Sequence, residues 1–413
     1  MRITIAGAGI GGLSLALSLH AAGLSDVHIY ERSEQIRGLG VGLNLLPHAV
    51  RELTELGLAE RLEELGVEPT TLAYYNRYGQ HIWSEPRGTR AGYKWPQLSV
   101  HRGRLQMLLL DAVRERLGDA VHEGHRLVGV RSQPDGTELA TFETASGPVE
   151  VSTDVLVGAD GIHSALRALR YPAEGAPPWS GLINWRGTAI VDPFLDGATM
   201  VMAGDGDQKF VAYPLENVRP DGTQKINFIA EARTAGDPTA DWNHPVAAEP
   251  LLERFAAWKF PWLDVPAVLG AAEQILEYPM VDRDTLDQWT FGRTTLLGDA
   301  AHAMYPNGSN GGSQAILDAR TLAFHLATAE DIDSALAACE AVRRPATAAL
   351  LAKTRQTGPE LVMLLAYERA PQGFTHIHDV ISAAELETIA SDYKVAAGFH
   401  PATLNERTSL TVQ

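Results

Sequence analysis

Cysteine is almost absent: Cys339 is the single one in 413 residues. No internal disulfide can form, so the chain is expected to stand on its hydrophobic core and to suit the reducing cytoplasm, with Cys339 a small helical core residue. Basic residues are scarce beside acidic ones, 34 Lys and Arg against 51 Asp and Glu, for a net charge of −17. A polyanion meets repulsion over most of such a surface, which argues against nucleic acid or an acidic membrane as a partner. No apolar run approaches the ~18 residues of a membrane span. Clustered metal ligands are missing as well. His376, His378 and Asp379 have a metal-like spacing but no further ligands beside them; they read as solvated loop residues, and no metal is expected. There is no internal repeat, no low-complexity tract and no recognisable acid–base triad.

What is present begins at once, in "RITIAGAGIGGLSLALSLHAAGLSDVHIYER" at residues 2–32. An apolar run is followed by Gly7, Gly9 and Gly12, then by an Ala/Leu-rich helical stretch and a second apolar run ending at Glu31, the pattern of a dinucleotide-binding βαβ unit. Gly7 permits the tight turn, Gly9 lets backbone approach a pyrophosphate, and Gly12 lets the helix sit close to the strand, while the helix N-terminus offers free N–H groups to the phosphates. Glu31 is placed to accept hydrogen bonds from a ribose diol, and its charge would repel a 2′-phosphate. NAD and FAD both remain open at this point. Arg2 followed by apolar residues and "HAA" imitates a secretory signal, but the glycine spacing and Glu31 predict that the segment is retained as structure.

A chain of this length is expected to divide into two domains, with room for a smaller appendage. After Glu31 the alternating βαβ series of a simple dehydrogenase stops. "RGLGVGLNLLP" reads as a Gly-rich loop, Pro47 as a helix start, "TLAYYNRYGQHIW" as two short strands around a turn at Gly79, and residues 102–117 as an amphipathic helix stopped by Gly118. Short strands with turn signals over 125–158 predict an antiparallel meander, and a longer β-rich block over 181–232 is the candidate for a substrate-carrying sheet. Beyond about Gly312 the pattern is helical.

Two more strand ends carry acids and glycines. "DVLVGADGIHSALR" ends a strand in Asp160-Gly161, and "TTLLGDAAHAMYPNGSNGGSQAILDA" ends another in Gly298-Asp299. NAD fills one βαβ crevice and has no use for a distant second and third acid; FAD is longer, and its ribityl hydroxyls want a carboxylate. The three elements together favour FAD. In the third, Pro306, Gly308, Gly311 and Gly312 lead into a helix beginning near Ser313. Its N-terminal dipole, roughly +0.5 charge, would stabilise negative charge on the pyrimidine edge of reduced flavin by about 1 kcal/mol.

This trio of motifs, in this order and spacing over roughly the first 350 residues, resembles the class A flavoprotein monooxygenases, the aromatic hydroxylases with the p-hydroxybenzoate hydroxylase fold. Segments such as "LGVGLNLLP", "WSEPRG", "HRGRLQMLLL" and "YPMVDRD" are most similar to the phenazine-carboxylate hydroxylases within it, which points to a phenazine or another fused aromatic acid as substrate. The resemblance implies an α/β (α+β) fold. A Rossmann-like FAD-binding domain would comprise 1–72, 98–178 and 278–357, a β-sheet substrate domain 73–97 and 179–277, and a C-terminal helical appendage 358–413, read as packing or oligomer contact in a monomer or homodimer. Carried over by position, Gly7, Gly9, Gly12 and Glu31 would hold the ADP half of FAD, Gln97 and Arg102 would contact the flavin or its phosphates, Asp160 would serve the pyrophosphate region, Asp299 the ribityl chain, and Gly312 and Ser313 the flavin O2. Ser313 stands where many members have Asn.

The implied cycle is reduction of FAD by NADH or NADPH, addition of O2 at flavin C4a, and transfer of one oxygen to an electron-rich ring. Glu31 does not choose between the two donors, because in this family that acid faces FAD. Trp185, Arg186, Tyr213, Tyr305 and Pro306 are the candidate substrate-pocket residues: ring surfaces, a carboxylate partner and a packing edge beside the flavin. A flavin-dependent reductase and a non-catalytic flavoprotein that binds an aromatic ligand are the rival readings. The absence of a WxWxIP motif speaks against a halogenase.

Overall fold

A computed structural model describes residues 1–235 and 244–412. A five-stranded parallel sheet runs in the order Thr294–Leu296, Val155–Gly158, Ile3–Ala6, Val27–Tyr30, Val121–His122. Its first three strands are short and buried, as expected of a sheet covered by helices on its faces. Because they are parallel neighbours, the three strand ends that carry the glycine–acid motifs lie side by side on one edge. Helix Ile10–Ala21 is buried along nearly its whole length and packs beside helix Gly311–Thr328. Gly11 permits the contact, since a Cβ there would fall 2.7 Å from Leu297 Cδ2 and 3.3 Å from Ala315 Cβ. Cys339 sits in the same core on helix Ile332–Arg355, and burial pushes its thiol up to about 12.

The meander is an antiparallel three-stranded sheet of Arg126–Ser132, Glu138–Thr144 and Gly147–Thr153. Helix Arg102–Leu117 ends where Gly118 takes a φ of 61°. The stretch expected to be a Gly-rich loop behaves differently. Gly42–Leu45 is a strand, paired antiparallel with Leu98–His101. Its glycines hid it from propensity; the pairing partner arrives from far along the chain.

An eight-stranded sheet draws on residues 71–86 and 179–281, with strand order His244–Val246, Ala272–Val281, Trp179–Val191, Gln224–Arg233, Gln208–Pro214, Thr199–Gly204, Thr71–Asn76, His81–Pro86. Side chains alternate between its two faces. Ile183, Trp185, Phe210, Phe228 and Ala230 point to one face and pack with Phe255, Trp258 and Leu269. At roughly 1.5–3 kcal/mol for each large apolar side chain buried, this aromatic layer anchors the sheet. Trp185 therefore belongs to that layer, where its Nε1 donates to Glu277 Oε2 at 2.7 Å. It is not a neighbour of Arg186 in a pocket, because adjacent strand residues face opposite ways.

The opposite face is covered at one end by the C-terminal helices Leu361–Arg369 and Ala383–Ala396, whose Val362, Met363, Ala366 and Leu386 pack on Leu72, Tyr74, Met200 and Met202. His376, His378 and Asp379 fall in and beside the short turn Ile377–Asp379, which Ile377 pins to this cluster.

Candidate active site

The first two motifs touch. A Cβ on Gly7, whose φ is 107°, would lie 2.5 Å from Ala159 O and 2.9 Å from Asp160 Cα, so the GxG turn rests on the backbone of the Asp160 turn. Gly12 is tighter still: a Cβ would stand 2.0 Å from Gly7 O. Gly9 contrasts with both, for nothing approaches within 4 Å of its missing Cβ. Two glycines close the turn and the third leaves a cradle beside the first turn of helix Ile10–Ala21. Glu31 braces this turn, its Oε2 accepting from Ala8 N at 2.9 Å and its Oε1 from Ser33 N at 2.9 Å. Oε1 also accepts from Ser33 Oγ at 2.8 Å, so Oε2 is the oxygen that keeps a lone pair for a ribose hydroxyl. Gln106, on the following helix, holds the same turn by donating to Ala8 O at 2.8 Å. Asp160 accepts from Ala165 N at 2.7 Å through Oδ2, while its buried Oδ1 has no partner. Burial raises its pKa, against the hydrogen bonds from Ser164 and Ala165 that lower it.

The third motif sits one strand over from the second. Asp299 opens the short helix Asp299–His302 with its side chain exposed. Beneath it lies a buried polar network that sequence reasoning passed over. Asp318, on helix Gly311–Thr328, accepts from Gly298 N at 3.0 Å, His302 Nε2 at 2.5 Å and Arg343 Nε at 2.6 Å. Burial alone would raise the Asp318 pKa, but His302 and Arg343 hold it far below the usual carboxylate range. Gln314 extends the network, accepting from Arg343 Nη2 at 2.6 Å and donating to Ala397 O at 3.1 Å. The signal was a lone acid in the apolar run "SQAILDAR"; its partners come from other helices. Helix Gly311–Thr328 starts two residues before Ser313, so Gly311 and Gly312 occupy its first turn and present free amides. Ser313 is buried, its Oγ facing Leu46 N at 3.4 Å.

Across the crevice the uncovered end of the eight-stranded sheet presents polar side chains. Asn184, Arg186 and Asn227 share this face with Tyr213 and Glu231 by register. Arg186 lies 5.2 Å over the Tyr278 ring and feels the charge of Arg102, and its buried Nε has no partner. Burial pulls the Arg186 pKa down. Asn184 Oδ1, Asn227 Nδ2 and Glu231 Oε2 are likewise buried and unpartnered. Gly42 N donates to Asn227 Oδ1 at 2.6 Å, and a Cβ on Gly42 would meet the Tyr213 hydroxyl at 2.7 Å. Strand Gly42–Leu45 is thus wedged between this face and Gly312, where a Cβ would stand 3.5 Å from Leu43.

Arg102 begins its helix with an exposed side chain beside Gly40, where the sequence placed it. Gln97 is spent elsewhere: its Oε1 accepts from Arg87 at 2.9 Å and its Nε2 faces Asn44 Oδ1 at 3.4 Å and Met200 Sδ at 3.2 Å, deep in the protein. Tyr305 is half-buried among Asp282, Asp284 and Arg355 rather than beside Arg186 and Tyr213. Pro306 starts the turn that Ser309 N closes onto its carbonyl at 2.9 Å. A narrow cavity lies between Tyr74, Arg87, Met200 and Met202 on the sheet side, Gly308 and Ser309 of this turn, and the C-terminal helices.

Residues 1–354 match the family described as FAD binding domain. The chain belongs to the FAD-binding hydroxylases of class A. This hydroxylase is 46% identical over 361 residues to the phenazine 1,6-dicarboxylic acid hydroxylase PhzS of Lysobacter antibioticus, covering 86% of this chain and 89% of that one. It is 33% identical to the aurachin C monooxygenase/isomerase of Stigmatella aurantiaca over 83% of this chain and 85% of that one. Its fold is also that of Klebsiella pneumoniae HpxO complexed with FAD and uric acid, at a TM-score of 0.75 and 23% identity, covering 98% of this chain and 96% of that one. FAD suits the residues of the hydroxylase: a cradle open at Gly9, an unpartnered carboxylate oxygen on Asp160 and an exposed Asp299 all face one strand edge.

Proposed function

We propose that this hydroxylase uses NADH or NADPH and O2 to add one oxygen to a fused aromatic acid of phenazine-like shape. The observation that carries the proposal is the face bearing Arg186, Tyr213 and Tyr278, a half-buried cation with rings around it set across the crevice from the flavin motifs. FAD, when bound, supplies the electron transfer and the activation of O2. The chain's own residues bind, orient and keep water out. Gly7, Gly9, Gly12 and Glu31 would hold the ADP half, Asp160 the pyrophosphate region, and Asp299 the ribityl hydroxyls. Arg102 would meet the flavin, and the amides of Gly312 and Ser313 the pyrimidine edge.

On the substrate side, the Arg186 guanidinium is a partner for a ring carboxylate, and Tyr213 orients the ring beside Pro306. In the narrow cavity by Gly308 and Ser309, Arg87 and Lys394 both contact the carboxylate of Glu85, at 2.9 and 2.5 Å. A closed, dry site favours oxygen transfer over loss of peroxide. No helix among the described residues is long and apolar enough to cross a membrane.

The test is to purify the protein, identify its chromophore, and screen aromatic acids, phenazines included, for stimulated NAD(P)H oxidation coupled to an oxygenated product. A product formed without O2 would select the reductase reading. Tight binding with no stimulated oxidation would select the ligand-binding flavoprotein.

A further inference from the structure

The turn that leads into the first-turn amides of helix Gly311–Thr328 has little to hold it by itself. Gly308 and Ser309 take φ values of 73° and 58° in succession, and for Ser309 that left-handed conformation costs of order 1 kcal/mol or more. Such a turn persists only where its surroundings over-determine it. One side chain from outside does most of this. The Tyr393 hydroxyl, on helix Ala383–Ala396, donates to Asn307 O at 3.0 Å and accepts from Asn310 Nδ2 at 2.8 Å. Asn310 is fully buried, immediately precedes Gly311, and also donates to Gly308 O at 3.1 Å. The Tyr393 ring lies so close to Gly308 that a Cβ there would meet the hydroxyl at 2.1 Å. The remaining ties run the same way, Asn307 Nδ2 to Thr354 O at 3.2 Å and Gln314 Nε2 to Asn310 Oδ1 at 3.3 Å.

We propose that Tyr393 is a positioning residue of the flavin site: its hydroxyl clamps the turn at Asn307 and Asn310 and thereby sets the aim of the Gly312 and Ser313 amides. The C-terminal helices are then a working part of the site and not only a cover for the sheet. The inference rests on the assignment of these amides to the pyrimidine edge of FAD. Donors there stabilise reduced flavin, which bears the negative charge, more than oxidised flavin. Removing the clamp lets the amides drift and leaves the Asn310 amide short of a partner in a buried place, a loss felt at the turn before it is felt by the fold.

The measurement is the midpoint potential of the bound FAD, read by dye equilibration on the holoprotein without substrate, in the wild type, Tyr393→Phe and Phe399→Leu. Phenylalanine keeps the ring on Gly308 and removes both hydrogen bonds. The expected result is about tenfold weaker binding of reduced relative to oxidised flavin, a potential about 30 mV more negative, together with a larger share of NAD(P)H oxidation ending in peroxide. Phe399 stands edge-on to the Tyr393 ring at 6.5 Å between centroids and has no side-chain group to hydrogen-bond Asn307 or Asn310, so its leucine variant should lose thermal stability and keep the potential. An unchanged potential in Tyr393→Phe, or an equal shift in both variants, would overturn the inference. Should Tyr393→Phe fail to fold, Asn310→Ser removes the clamp from the other side and carries the same expectation. Because the potential is read without substrate, it stands or falls apart from the hydroxylation reaction, whose own failure would show as a wild type that oxygenates no aromatic acid.

Discussion

The two sheets present opposite kinds of surface to the crevice. At the five-stranded sheet the surface is backbone: Gly7 and Gly12 are pressed against other main-chain atoms, Gly9 is left open, and side chains brace the turns from behind. At the eight-stranded sheet it is side chain, with Arg186, Asn184 and Asn227 holding buried polar atoms that find no partner within the protein. A site built of glycines tolerates almost no added atom and serves one invariant ligand. A site built of unsatisfied side chains can be retuned one residue at a time, which suits a fold whose relatives act on different rings.

The sharpest way to break this contrast is Gly12→Val. Its Cβ would collide with the Gly7 carbonyl at 2.0 Å, a main-chain atom with nowhere to go, so the variant is expected to lose flavin and fold together. Wild-type flavin absorbance in the purified variant would refute backbone recognition. Asp318→Asn comes next. It deprives Arg343 of its buried counter-charge and His302 of its carboxylate partner, and should cost about 3–5 kcal/mol in urea unfolding. Arg186→Ala attacks the other sheet and should spare both stability and flavin content. It is expected to raise the Michaelis constant for an acidic ring by roughly tenfold to a hundredfold, the value of about 1.5–3 kcal/mol for a charged hydrogen bond, while a neutral amide analogue is hardly affected. Equal losses for acid and amide would remove Arg186 from carboxylate recognition.

The smallest effect at neutral pH belongs to His48, which sits beneath Gln314 where the motif helices meet. Burial, aided by Arg407 and Arg343, lowers its pKa from 6.5 to about 3. The unfolded chain therefore takes up a proton near pH 6.5 that the folded one refuses. Stability from this residue is complete above that pH and falls by roughly 1.4 kcal/mol per unit below it. His48→Gln should flatten the acid limb of an unfolding-free-energy profile between pH 6 and 4 while leaving its slope above pH 7 unchanged.

How much could be read in advance follows the same division. Gly7, Gly9, Gly12, Asp160 and Asp299 were legible because a missing Cβ or a strand-end acid is a local property, and the structure sets their three strands side by side. The strand at Gly42–Leu45 was not, since only its pairing with Leu98–His101 makes it one. Trp185 and Arg186 were read into one pocket, although period-two alternation already separates neighbours on a strand. Gln97 and Tyr305 show a deeper limit. Which partners quench an amide or surround a phenol is decided by segments remote in sequence, here Arg87 and Asn44 in one case and Asp282 and Arg355 in the other. The C-terminal helices were read as packing or oligomer contact. They do pack, but on the chain's own eight-stranded sheet, down to a tyrosine inserted against the turn at Gly308.

The order of the parallel strands also dictates a timetable. The first motif strand begins at Ile3 and the second at Val155, yet the strand that completes their edge does not emerge until Thr294, and the helix behind it comes later still. At translation rates of roughly 5–20 residues per second, a growing chain spends many seconds with a half-made crevice and exposed parallel strands. Capture of the prosthetic group is accordingly a late event on the ribosome or one that follows release. A chain cut short before Thr294 would keep the first two motif strands and lack the edge that the third completes.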